Sequence, residues 1–209
     1  MSRASAIRIA LISAVAVLPA AHAGAQSVQH QGSNGMVFRS QADTGPIARA
    51  ERALAAEPRN VQRFIQLGIA QSGARQMREA VQTFTRALVV APNDPMLYRW
   101  RGHRNLSVRN FDGAMADLTR GYGLDSMNYG ILYHLGVLRF VRGDFNAAAD
   151  AFARAQPNAP DGGELAGATD WRWMSLQRAG RAAEAAAMLA RRPDSLPAAN
   201  AYEIGRAHV

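Results

Sequence analysis

The histidines are the residues of this chain best suited to acid–base or metal chemistry, and their surroundings in the sequence favour neither. The five are His22, His30, His103, His134 and His208. His103 and His134 have no carboxylate or Cys at ligand spacing, so we interpret them as two imidazoles at the solvent edge or lining a groove. No serine lies in a Gly-x-Ser-x-Gly motif, and no phosphate-binding glycine loop is present. We therefore expect no enzyme activity, no metal and no cofactor.

Composition and charge point away from nucleic acid and towards helix. The 24 cationic residues are all arginine and exceed the 16 acidic residues, which gives a net charge of +8 at pH 7. Because the arginines are spread along the chain without a basic block, no nucleic-acid patch is expected. The chain is rich in Ala, and both Ala and Arg favour helix.

The N-terminus is typical of a secretory signal peptide. A cationic start precedes a mostly apolar run at residues 9–18, and Ala-His-Ala at residues 21–23 supplies the small residues of a cleavage site. We predict a signal peptide at residues 1–23, with cleavage after Ala25 as the alternative. The run is shorter than the roughly 20 residues that span a membrane, and no Cys is present for lipid attachment. We expect a periplasmic or secreted protein without stable membrane insertion.

Both ends of the mature chain are predicted to be flexible. Residues 24–45 are polar and rich in Gly, Gln and Ser, which favours a flexible linker. Residues 192–209 are predicted to form a disordered tail. The last seven, 203–209, can be back-translated into a common sequencing-adapter read, so that stretch is either adapter-derived or a genuine polar tail.

Between these ends the sequence repeats every 34 residues. Glycines, alanines and large apolar residues each recur at this spacing in a column of their own. The columns are Gly68, Gly102 and Gly136; Ala80, Ala114 and Ala148; and Phe84, Leu118 and Phe152. Because independent columns agree on one period, we interpret the pattern as a structural repeat.

This pattern resembles the tetratricopeptide-repeat (TPR) family, whose unit carries Leu-Gly, a small Ala, an aromatic residue, a second Ala and a closing Pro. The third unit matches best, with Leu135-Gly136, Ala148, Phe152, Ala155 and Pro160. The second unit departs from the pattern at Arg101, where Leu is usual. There is a weaker likeness to exported bacterial TPR lipoproteins of the periplasm, from which the chain departs by lacking the lipid-anchoring Cys.

The resemblance implies an all-α fold, a right-handed α-solenoid of antiparallel helix pairs (a TPR superhelix). We predict a capping helix at 46–60, repeats at 61–94, 95–128 and 129–162, and a degenerate terminal helix pair at 163–191. In that last pair Trp173 stands where the small Gly is usual, so the helices are expected to open or rotate. Of Trp171 and Trp173, one is expected in the core and the other partly exposed.

The resemblance also implies a concave groove lined by positions 2, 5, 9 and 12 of each first helix. Here those positions are Gln62, Ile65, Ile69, Ser72, Met96, Arg99, His103, Leu106, Gly130, Tyr133, Val137 and Phe140. From them we predict a partner-binding groove made of Ile65, Ile69, Arg99, His103, Leu106, Tyr133, Val137 and Phe140. Its centre is predicted at Arg99, His103, Tyr133 and Phe140.

This groove suits an extended or helical peptide with hydrophobic anchors and a carboxylate for Arg99. Some of its apolar residues have an alternative role, which is packing against the cap or the terminal helix. The Lys and Asn that carboxylate-clamp TPRs use to bind chaperone tails are replaced by Ile65 and Ile69, so that ligand is not expected.

Two functions follow from the sequence. The first is a non-catalytic scaffold that binds a peptide or helix of an envelope or secreted protein. The alternative is the TPR portion of a larger, truncated protein whose catalytic or sensor domain is missing. A third hypothesis, direct binding of peptidoglycan or lipopolysaccharide through scattered arginines, has less support, because no Arg cluster is visible in the sequence.

Overall fold

The structure, a computed structural model, describes residues 26–190. The predicted signal peptide and the predicted tail, including residues 203–209, lie outside this range. Two strands come first, followed by helices in succession. They are β1 Val28–Gln31, β2 Val37–Arg39, α1 Pro46–Ala56, α2 Val61–Gly73, α3 Met77–Val90, α4 Pro95–Ser107, α5 Phe111–Leu124, α6 Tyr129–Val141, α7 Phe145–Ala155, α8 Gly162–Arg178 and α9 Ala182–Ala190, with a 3-10 turn at Gln156–Asn158.

The helices form a solenoid in which each helix packs against the next along the chain. The first helices α2, α4, α6 and α8 also contact one another in turn, which makes them one continuous layer. The predicted all-α solenoid of helix pairs is confirmed. No helix within residues 26–190 has the length and apolar character needed to cross a membrane.

The glycine column marks the closest approach of the two helices in each pair. A Cβ atom added to Gly136 would lie 2.6 Å from Cζ of Phe152, and one added to Gly102 would lie 2.8 Å from Cγ of Leu118. Both large side chains are fully buried. The large residue of each second helix therefore fills the space left open by the glycine of the first helix, which explains why both columns share one period.

The departure at Arg101 is matched by a second departure on the facing helix. Nη2 and Nε of Arg101 donate to the Asp117 carboxylate at 2.6 and 2.9 Å, and Asn105 Nδ2 donates to it at 3.0 Å. Asp117 is buried. The second repeat thus joins α4 to α5 through a bidentate ion pair in place of an apolar contact.

The first helices begin at side-chain caps that follow the same period. Asn60, Asp94 and Asn128 each accept a hydrogen bond from a backbone N–H in the first turn of α2, α4 and α6. Such caps satisfy donors that the helix itself leaves unpaired. They fix where each first helix starts, and therefore which of its residues share a face.

The segment predicted as a flexible linker, 24–45, instead contains the antiparallel hairpin β1–β2 within its described part. The hairpin is held by Gln29, whose Oε1 accepts from the backbone N of Arg78 at 2.8 Å and whose Nε2 donates to Glu79 at 2.9 Å. Helix α3 has no side-chain cap from its own N-cap residue, Gln76. The hairpin supplies this cap to α3. The segment is therefore ordered by hydrogen bonds of polar residues and not by an apolar core.

The terminal pair differs from the prediction for its tryptophans, because both are half-buried. Trp171 stacks on Phe152 with ring centroids 5.9 Å apart. Trp173 packs with Leu176 and Ala185 in a separate cluster. The third repeat covers Trp171 through Phe152, whereas the cluster around Trp173 draws Ala149 from α7 and Ala185 from α9.

Candidate functional site on the first helices

The layer of first helices brings the predicted groove residues into neighbouring rows on α2, α4 and α6. Ile69 is the most exposed of the predicted eight, at 45%. Arg99, His103, Tyr133, Val137 and Phe140 are all half-buried. These side chains are therefore partly covered by protein and partly open to a ligand.

Two of the predicted groove residues also support the core. Ile65 packs against the buried cluster that contains Phe64 and Leu67. Leu106 packs against the cluster that contains Leu118 and Leu138. Their substitution would therefore disturb the core as well as the predicted groove.

His103 and Tyr133 meet around a third residue, His134. The rings of His103 and His134 have centroids 4.0 Å apart, and the Tyr133 ring meets His134 edge-on at 5.5 Å. The two imidazoles are therefore paired. His134, only 7% exposed, does not lie at the solvent edge, which was one of the two positions predicted for it. Its Nδ1 hydrogen-bonds the carbonyl of Gly130. Since a carbonyl only accepts, Nδ1 carries the proton and Nε2 is an acceptor.

Phe140 does not join this centre. Its ring packs edge-on against Phe145 at 5.2 Å and against Trp171 at 5.1 Å. Two helical turns separate Phe140 from Tyr133, so its ring lies over the start of α7 and the middle of α8 and does not contact the other three predicted residues.

Cζ of Arg99 lies over the ring of Trp100, 4.1 Å from the ring centroid. A Cβ on Gly130 would lie 2.6 Å from Nε of Arg99, so this glycine makes room for the guanidinium. Within residues 26–190 Arg99 forms neither an ion pair nor a hydrogen bond. Burial lowers the pKa of Arg99, and the charge of Glu164 raises it from a distance.

Arg104 and His134 belong to this site although neither was among the eight residues of the predicted partner-binding groove. Arg104 is only 8% exposed, and its Nε has no hydrogen-bond partner. Its Nη2 lies 3.0 Å from Nε2 of His103, and its Nη1 lies 3.5 Å from Sδ of Met77. Both residues lie outside positions 2, 5, 9 and 12 of their repeats, so the TPR pattern does not predict them as groove residues. The sequence signal for Arg104 was a charged residue at a position of α4 that the repeat pattern places in the interior.

The charges of this site follow from burial. Burial, then the charge of Arg99, lowers the pKa of His134 to about 3. Burial, His134 and the two arginines also lower the pKa of His103. Burial, then Arg99, lowers the pKa of Arg104 to about 10. At neutral pH the site therefore holds two guanidinium cations beside two uncharged imidazoles.

This arrangement can receive an anion. Buried cations are normally paired, and neither Arg99 nor Arg104 forms an ion pair with a carboxylate of residues 26–190. Across the same part of the chain, no group of three or more His, Cys, Asp or Glu side chains is placed to hold a metal ion. We refer to Arg99, His103, Arg104, Tyr133 and His134 as the central cluster.

Comparison with known proteins identifies the architecture. No family model matches the chain, and no curated protein is significantly similar to it. A crystal structure of MamA is 20% identical, with a TM-score of 0.59 over 69% of this chain and 77% of that one. MamA from Desulfovibrio magneticus RS-1 is 18% identical, with a TM-score of 0.59 over 69% and 80% of the two chains. A chain of the APC/C hetero-tetramer Cut9–Hcn1 is 16% identical, with a TM-score of 0.61 over 68% and 29%. At these identities the likeness shows the fold alone, a TPR solenoid.

Proposed function

We propose that this chain, which has the TPR fold, is a non-catalytic protein-interaction scaffold whose concave layer of first helices binds a segment of a protein partner. The observation that carries the proposal is the central cluster, where Arg99 and Arg104 form no ion pair within residues 26–190. A partner carboxylate would supply the missing counter-charge. The hetero-tetramer in which Cut9 is found is one case of this fold serving assembly.

The residues around the central cluster suit a peptide better than a small anion. Exposed Ile69 and Met96 offer apolar surface on α2 and α4, and Tyr133 adds an aromatic ring on α6. An aromatic residue beside an Arg is a frequent hot-spot composition. The ligand we infer therefore carries an acidic side chain flanked by apolar ones, in an extended or helical segment.

We further propose that the protein is exported and meets its partner in the periplasm or outside the cell. The support is the signal-like pattern at residues 1–23. Produced in a Gram-negative host, the protein should appear in the periplasm with its N-terminus at Gly24 or Gln26. A cytoplasmic product that keeps Met1 would refute export while leaving the groove proposal intact.

The groove is tested by pull-down from periplasmic extract with quantitative mass spectrometry. We expect Arg99→Gln to lose most of the captured partner, on the order of tenfold, and capture by the unaltered protein to weaken as salt is raised. Arg86→Gln on α3 is the matched control, since it removes the same charge from a second helix. Circular dichroism establishes that both variants remain folded. Equal capture by the two variants would place the binding site elsewhere.

A further inference from the structure

A second cleft lies between the hairpin and the turns that join α2 to α3 and α4 to α5. Its volume is about 470 Å³, and its walls include His30, Phe38, Arg39, Arg75, Met77 and Arg109. It shares no residue with the predicted groove. Because the hairpin forms one wall, the cleft exists only when β1 and β2 are docked on α3.

Three guanidinium groups line this hairpin cleft, and no carboxylate does. Arg39, Arg75 and Arg109 are all exposed. None of the three forms an ion pair within residues 26–190. Nη1 of Arg39 donates to the backbone O of Gln26 at 3.2 Å. Because all three residues are cationic and line one cleft, an anion bound there would be attracted by each of them.

Further positive charge lies behind the wall of the hairpin cleft. Met77 lines the cleft, and the buried Arg104, whose Nε is unpaired, has its Nη1 3.5 Å from Sδ of Met77. Glu79 is the carboxylate that the hairpin itself contacts, and it already accepts hydrogen bonds from Ser27 and Gln29. Glu79 is not among the residues that line the hairpin cleft.

The hairpin adds apolar surface beside these charges. His30 and Phe38 are cross-strand partners, and their rings stack with centroids 6.0 Å apart. Phe38 remains 48% exposed. An exposed aromatic ring next to arginines favours a ligand that carries apolar groups as well as negative charge.

Two of the arginines stand in a backbone conformation that favours glycine. Arg75 has φ of 55° and Arg109 has φ of 63°, whereas the equivalent turns of the third and terminal pairs use Gly143 and Gly180, with φ of 83° and 75°. Arginine therefore occupies this strained position only in the two turns that line the hairpin cleft. Strain that persists where glycine would remove it is typical of functional positions.

We propose that the hairpin cleft binds an acidic segment of a protein partner, with carboxylates on Arg39, Arg75 and Arg109 and an apolar side chain against Phe38. A polyphosphate chain would satisfy the arginines but would leave Phe38 uncovered. A peptide that combines acidic and apolar residues satisfies both. This site shares no lining residue with the groove, and Arg104 of the central cluster lies behind the wall between them.

The test uses the double variant Arg75→Gly, Arg109→Gly in the otherwise unaltered protein. Glycine fits both turns, so we expect the melting temperature to stay the same or rise. The probe is a fluorescent synthetic peptide of alternating Glu and Phe, followed by fluorescence anisotropy. We expect its Kd to rise at least tenfold in the double variant. The charge-matched control Arg52→Gln, Arg59→Gln, at two exposed positions outside the cleft, should bind as the unaltered protein does.

Several outcomes would overturn the proposal. These are no binding of the probe to the unaltered protein, equal binding by the double variant, or equal binding of a peptide with Gln in place of Glu. Binding of inorganic polyphosphate in preference to the probe would assign the cleft to another class of ligand. A fall in melting temperature would show that the arginines serve the fold. Because the groove is also proposed to bind acidic and apolar segments, the probe is measured again in an Arg99→Gln background. The double variant should lose probe binding by the same factor there, which separates this site from the groove.

Discussion

The buried imidazole of His134 makes the stability of this protein depend on pH. Its pKa is about 3 in the folded protein, below the ordinary 6.5, so the unfolded chain takes up the proton first as pH falls. The stabilisation is complete above about pH 6.5 and is lost progressively as pH falls towards 3, at up to about 1.4 kcal/mol per pH unit. His103, whose pKa is also lowered, acts in the same direction.

We therefore expect urea unfolding to give a smaller free energy of unfolding at pH 5 than at pH 7. The carboxylates with lowered pKa, such as Asp43 and Glu57, titrate below their ordinary values of 3.8 and 4.5, outside this interval. His134→Phe keeps an aromatic ring beside Tyr133 and His103 but carries no proton, so its pH dependence should be shallower. An unchanged difference between the two pH values in this variant would contradict the assignment.

Two helical glycines give a matched test of packing inside the pairs. A Cβ on Gly136 meets Phe152 at 2.6 Å, whereas a Cβ on Gly123 has no atom within 4 Å. Gly136→Leu should overpack the third repeat and cost about 1–3 kcal/mol. Gly123→Leu should be neutral or stabilise by up to about 1 kcal/mol through helix propensity. Chemical denaturation measures both, and equal effects would mean that the glycine column has no packing role.

Among the elements, the hairpin is the addition that a repeat pattern does not contain. Gln29 caps α3 from outside through its hydrogen bond to the backbone N of Arg78 at 2.8 Å. Loss of a helix cap costs about 1 kcal/mol, and Gln29→Ala also leaves Glu79 without one donor. We expect a lower melting temperature and faster hydrogen exchange in the first turn of α3. The control is Gln31→Ala, an exposed residue of the same strand, which should change neither. Similar exchange in both variants would show that the hairpin does not cap α3.

At the scale of the whole molecule, the period of the sequence predicted the solenoid because each column corresponds to one repeated contact, such as Gly136 on Phe152. The hairpin was not predictable, because the role of Gln29 depends on residues 49 and 50 positions away. The central cluster was predictable only in part. Arg99 and His103 follow the family register, whereas Arg104 and His134 enter the site through packing between helices that no periodic rule describes.

We propose that the first helices form the surface that binds a partner. Site-specific photo-crosslinking in a Gram-negative host tests it most directly, with the photoreactive residue placed at Ile69 or Met96 on the first helices, or at Val89 on α3. Val89 is the matched control, because it is an apolar residue that is 83% exposed on a second helix. We expect the same crosslinked partner from Ile69 and Met96 and none from Val89. Crosslinks from Val89 alone, or equal crosslinks from all three positions, would contradict it.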